Sequence, residues 1–176
     1  MPQNRSKGFT VLELIIVLTI ISLMIFFVYN YLHDLTKRAR DAVRLADFAN
    51  MQQAITLALH DTSNKIAYTL CTSNVTPCRG TSFPLIPDTQ KINGTGWLKI
   101  NFEESKSSNF AKLPIDPLNN ALYHYDYYSD GLVWKITSTL ESDQYKDKMN
   151  NDGGVDPQSY EIIVRVDKPR ITKPAS

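Results

Sequence analysis

The chain has 176 residues, of which 43% are hydrophobic, 21% charged and 10% aromatic, a composition that fits one ordinary globular domain and excludes a disordered or collagen-like polymer. Its 19 Lys and Arg against 18 Asp and Glu give a formal charge of +1, which excludes the strongly basic footprint of a general nucleic-acid binder. The averages conceal a polarised chain. No charge occurs from Leu14 to Leu32, so a membrane element is fused to a polar domain.

The first element in chain order is the apolar stretch from Phe9 to Leu32. As a helix it spans roughly 36 Å at ~1.5 Å per residue, enough to cross a bilayer. A secretory signal peptide would have a shorter apolar region with a small-residue cleavage site after it, whereas here Val28 is followed by Tyr-Asn-Tyr-Leu-His-Asp. Ahead of the run, residues 1–8 are short, polar and basic, a leader that can be removed before the helix begins. Glu13 is the odd residue. A carboxylate deep in a bilayer costs about 2.5 to 3.5 kcal/mol on insertion scales, so Glu13 needs a partner, a shallow position beside Lys7, or a function.

Lys7-Gly8-Phe9-Thr10-Val11-Leu12-Glu13, running straight into the apolar stretch, resembles the leader and N-terminus of bacterial type IV pilins and of the pseudopilins of type II secretion. The resemblance implies that a membrane-embedded prepilin peptidase cuts between Gly8 and Phe9 and methylates the new N-terminal Phe9. It also implies that Glu13 pairs with the N-terminal amine of a neighbouring subunit, a paired charge that sets the axial register of stacking. Loss of the leader removes Arg5 and Lys7 and leaves 17 basic against 18 acidic side chains. Where many pilins carry a helix-breaking glycine and proline, this chain has Ser22 and Asn30, so the proline break is absent. Positive-inside counting sets Arg5 and Lys7 against Lys37, Arg38, Arg40 and Arg44 and favours the opposite orientation. The leader motif takes precedence, because the peptidase faces the cytoplasm and the downstream bases are interleaved with Asp34, Asp41 and Asp47.

Beyond Asp34 a helical pattern without Gly or Pro continues to about His60. Leu35, Ala39, Ala42, Leu45, Ala46, Phe48, Ala49, Met51, Gln52, Ile55 and Leu59 are expected on its apolar face. Asp41, Arg44 and Asp47, spaced by three, are expected to form an exposed salt-bridged face worth a few tenths of a kcal/mol per pair. Thr62-Ser63-Asn64 is expected to end the helix.

In the remaining chain Cys71 and Cys78 are the only cysteines. No further Cys or His stands near them, so a zinc site lacks ligands, and a disulfide closing a small loop is preferred over two free thiols. Such a bond implies an oxidising compartment. The triplets beginning at Asn74 and Asn93 match glycosylation acceptors by chance. Strands are expected at Trp97–Phe102, Ala121–Tyr128, Leu132–Ser138 and Tyr160–Val166, the middle two forming an antiparallel hairpin around Ser129-Asp130-Gly131. Tyr123, Tyr125 and Tyr127 then share one face, opposite His124, Asp126 and Tyr128, and core packing is preferred for that stripe over a base- or sugar-stacking platform. The segments Leu113–Pro117 with Asn119-Asn120, Leu140-Glu141-Ser142, Tyr145, Asn151–Val155 and Tyr160-Glu161 resemble the same pilin-like proteins. Glu141, Asp143, Asp147, Asp152 and Asp156 surround a Gly-Gly turn. The resemblance implies a calcium loop there, with Glu141, Asp143, Asp152 and Asp156 as candidate donors and a solvated acidic loop as the alternative.

The expected class is α+β: a long N-terminal helix, transmembrane and then amphipathic, packed on a small antiparallel sheet head. The expected division is a leader at 1–8, a membrane or filament-core helix at 9–32, its amphipathic half at 33–61 and a head at 62–176. His33, His60 and His124 have no metal spacing, and no nucleophile elbow, P-loop or dinucleotide turn is present, so no enzyme is expected. The resemblance implies a structural subunit held in the bacterial inner membrane and polymerised by an assembly machine into a homo-oligomeric helical filament, an extracellular pilus. A periplasmic pseudopilus of type II secretion is the alternative. A non-polymerising anchored binding domain would require Glu13 to be replaceable and the leader to be retained.

Overall fold

The computed structural model of the chain describes residue 8 and residues 10–60, 70–72, 75–103 and 110–166, with His60 described by its backbone alone. Residues 1–37 and residues 38–176 form two compact units. One helix, α1 (Val11–His60), contributes to both. The expected stop at Thr62–Asn64 lies outside the described residues.

In the first unit every large apolar side chain from Val11 to Leu32 is exposed within this chain, and the helix is long and apolar enough to cross a membrane. Its neutral polar side chains turn back on the backbone. Thr19 Oγ1 donates to Ile16 O, Ser22 Oγ to Leu18 O and Asn30 Nδ2 to Phe26 O, all within 2.8 Å. Ser22 and Asn30 therefore sit within an unbroken helix, each satisfied by the preceding turn, as an apolar surrounding demands.

The second unit is built on a four-stranded antiparallel sheet of β1 (Cys78–Thr81), β2 (Asp126–Ser129), β3 (Val133–Ser138) and β4 (Tyr160–Arg165), in sequence order. Register pairs Tyr127 with Ile136 and Ser129 with Trp134, so one sheet face carries alternating buried residues in β2 and β3. Asp130 Oδ1 accepts the N–H groups of Leu132 and Val133, and Gly131 takes φ +88°, closing the expected hairpin. The core fills with Trp97, Trp134, Tyr125, Tyr127, Phe102 and Leu113 against the second half of α1. Its buried phenols are satisfied, Tyr125 Oη donating to Asp47 and Tyr127 Oη to Leu70 O. The α+β class is as expected, and the disulfide between Cys71 and Cys78 is formed.

Four expectations are corrected. Trp97–Phe102 is not a strand, and among the described residues its one ladder contact is an isolated bridge between Asn93 and Asn101. Trp97 and Leu98 are adjacent yet both buried, which a pleated strand with one wet face does not allow. Residues 121–125 likewise lie outside β2. A second helix, α2 (Asp143–Asn150), occupies part of the expected acidic loop, and β1 was not anticipated. The fourth correction concerns the face of α1. Asp41, Arg44, Phe48, Met51, Ile55 and Ala58 are buried, at intervals of three and four, while Leu35, Ala39, Ala42, Ala46, Ala49 and Gln52 are exposed. Alanine gains little from burial, whereas Phe48, Met51 and Ile55 are worth roughly 1.5 to 3 kcal/mol each. The helix turns accordingly, carrying a charged pair inward.

That pair is the hub of the second unit. Arg44, 1% exposed, donates to Asp116 through Nε at 2.6 Å and Nη2 at 2.9 Å, and through Nη1 to Asp41 at 2.8 Å and Glu141 at 2.6 Å. Arg40 joins through Glu141, and the Arg44 guanidinium lies 5.1 Å from the Tyr123 ring. Asp41 also accepts the N–H groups of Glu141 and Ser142 and the Ser142 hydroxyl. Burial alone would lower the Arg44 pKa, but hydrogen bonds to Asp116 and Glu141 outweigh it and hold the group charged. Burial pushes the Asp47 carboxyl upward despite the Tyr125 hydrogen bond, so an ionised Asp47 works against the fold. Arg44→Met is expected to cost about 3 to 5 kcal/mol, because Asp41 and Asp116 remain buried without their cation while Glu141 keeps only Arg40. Denaturant titration of the full chain in detergent checks this, and Arg44→Lys should fall between, keeping the charge but losing the fork.

Candidate functional site: the processing segment and the acidic turn

The backbone dictates much about the N-terminal segment. Gly8 and Thr10 lie outside the helix, and Gly8 is exposed with open space where a side chain would be. Phe9, the expected methylation position, and the bases Arg5 and Lys7 lie outside the described residues. Thr10 is the residue before α1, and its Oγ1 accepts the Glu13 N–H at 3.2 Å. Thr10-x-x-Glu13 is thus the spacing of a capping box, with Thr10 satisfying an N–H that the helix leaves open. Glu13 falls in the first turn, where the helix macrodipole favours a negative charge. It is exposed within this chain and is the only charged residue from Val11 to Leu32. The Thr-x-x-Glu signal stood in the sequence and was not read there as a cap.

The expected calcium donors are not gathered around one point. Glu141 is committed to Arg40 and Arg44, and Asp143 to Lys146 within α2. Asp152 Oδ1 accepts the Gly154 N–H and its Oδ2 the Glu161 N–H, while Asp156 accepts from Gln158 and Ser159. Among the described residues no group of three or more His, Cys, Asp or Glu is arranged to hold a metal ion. The turn is closed instead by Glu161, which the sequence placed in a strand and not among the donors. Buried on β4, its carboxylate accepts the Val155 and Asp156 N–H groups and pairs with Lys135 of β3 at 2.8 Å. Gly154 is required beside it, since a Cβ there would overlap the Glu161 carboxylate. His124 lies 3.2 Å from Asp126, and Tyr29 stacks on His33 within the first unit; neither histidine joins a catalytic grouping.

Among the described residues one helix is long and apolar enough to cross a membrane, Thr10 caps its first turn, and the second unit is a disulfide-bonded antiparallel sheet, an α+β arrangement. Residues 3–29 match the family model of the prokaryotic N-terminal methylation motif, the class III signal of type IV pilins and pseudopilins. No curated protein and no solved structure matches the chain.

The half-buried Glu141 and the buried Glu161 set a pH dependence. Burial raises their pKa, but Arg40 and Arg44 at Glu141, and Lys135 with the turn N–H groups at Glu161, outweigh it and hold both below the ordinary value of 4.5. Their contribution is complete above that value and is lost as pH falls through the folded-state values. The stability of the full chain is therefore expected to drop as pH is lowered below 4.5, with a shallower decline in Glu161→Gln. Denaturation midpoints measured across that range test it, and an unchanged slope in the variant would remove Glu161 as a source.

Proposed function

We propose that this chain is a structural subunit of a type IV pilus-like filament, without enzymatic activity. The observation that carries the reading is the methylation motif at residues 3–29, which runs into a helical segment, Val11–Leu32, whose large apolar side chains are exposed within this chain and whose single charge is Glu13. Prepilin peptidase cuts between Gly8 and Phe9 and methylates Phe9. The helix then holds the subunit in the inner membrane, with residues 1–8 having faced the cytoplasm. The Cys71–Cys78 bond supports a head on the oxidising side.

Assembly moves the helix from lipid into a core of like helices. Lipid and helix surfaces are about equally apolar, so burial contributes little to choosing a position, and packing and polar pairing decide it. Glu13 facing the Phe9 amine of a neighbouring copy supplies that choice, and head-to-tail repetition of one contact gives an open filament. A pseudopilus would use the same parts. The pilus reading is preferred because the acidic turn, the feature that leaned toward secretion, satisfies its carboxylates from its own backbone and Lys135.

The first test is the intact mass of the chain expressed with and without prepilin peptidase. Loss of residues 1–8 with gain of one methyl group is the expected result, and an unprocessed Met1 terminus beside active enzyme would leave only an anchored domain. The second test is Glu13→Val, which should remain in the membrane fraction yet yield few filaments by electron microscopy. Filaments in normal number would count against the pairing.

A further inference from the structure

The face of the sheet turned away from the core carries a groove of about 710 Å³, within the range of small-molecule sites. Strand register arranges its side chains in two rows. Arg79, Tyr128 and Lys135 pair across β1, β2 and β3 in one row, and Thr81, Asp126 and Thr137 in the next but one. Side chains of both rows point to the same side, since alternate residues of a strand share a face.

Of the two cations in this groove, one is paired. Lys135 is held by Glu161 at 2.8 Å, and Asp126 has His124 at 3.2 Å. Arg79 is exposed and makes no ion pair among the described residues. Its guanidinium lies over the Tyr128 ring, 5.3 Å from the centroid. A guanidinium fork is matched to a carboxylate, which it binds through two parallel hydrogen bonds. The second row has a different character. Thr81 and Thr137 flank Asp126 on the neighbouring strands, and its carboxylate accepts hydrogen bonds and repels a second anion.

We propose that this groove binds an acidic saccharide, with Arg79 taking the carboxylate of a uronate unit and Asp126, flanked by Thr81 and Thr137, taking ring hydroxyls. The juxtaposition selects against the alternatives. An acidic peptide of the same charge offers no hydroxyl donors to Asp126, whereas a sugar bearing one carboxylate per ring sets such donors beside the carboxylate. The proposal is independent of filament assembly and of leader cleavage.

The test is calorimetric titration of the full chain in detergent with tetragalacturonate, with its neutral methyl ester, and with tetraglutamate. Tetragalacturonate should bind about tenfold more tightly than the ester, the loss of one charge-assisted contact being of that order. Tetraglutamate should bind no better than the ester. Arg79→Gln should abolish the difference between acid and ester, and Asp126→Asn should weaken both sugars. Absence of saturable tetragalacturonate binding up to about 10 mM, a few kcal/mol of affinity, would overturn the proposal. So would equal binding of tetraglutamate, or an acid preference that survives Arg79→Gln.

Discussion

One guanidinium organises the head. Arg44 draws carboxylates from its own helix, from residue 116 and from residue 141, three places far apart in the chain. Each carboxylate then carries a piece of backbone with it. Asp116 accepts the N–H groups of Leu118 and Asn119 on the approach to β2, and Asp41 holds residues 141 and 142 between β3 and α2. The hairpin is thus tied on both flanks to one turn of α1. A buried ionic hub of this kind is a costly way to gain stability compared with apolar packing. Its distinctive effect is geometric, because only one rotation of the helix satisfies all three acids at once.

The same hub explains where the sequence misleads. A run such as Asp41, Arg44, Asp47 has the spacing of a solvated ion-paired stripe, and nothing local reveals that Asp116 and Glu141 complete it. The two segments that supply those acids were nonetheless the ones that resembled pilin-like heads, so the resemblance marked the partners without disclosing their task. The β2–β3 hairpin was legible because alternation, turn chemistry and aromatic content agreed there. Residues 97–102 shared the same apolar content but fill the core as irregular chain, with backbone groups answered one at a time, as in Trp97 N–H to Thr89 O and Phe102 N–H to Ile92 O. Helix α2 is polar nearly all round and presents only Met149 to the interior, which leaves periodicity almost nothing to detect. Its available signals were Ser142 ahead of it, Asp143 in its first turn and Lys148 in its last.

The N-terminal segment was legible for the opposite reason: its chemistry is local. Cleavage motif, carboxylate and apolar run follow one another without help from the fold. The acidic turn was legible in composition and misleading in arrangement. A cluster of carboxylates in sequence suggests a cation to bring them together, but backbone N–H groups are cations in miniature and are always present in a turn. Glu161 arrives from outside the cluster with Lys135 behind it, and the loop closes on the protein's own donors.

The backbone-bonded Thr19 and Ser22 have a consequence for whatever surrounds α1. Their hydroxyl protons are already spent on Ile16 O and Leu18 O, so between Glu13 and Tyr29 the helix presents no unspent side-chain donor, and an apolar neighbour can lie against that stretch at any height without breaking a hydrogen bond.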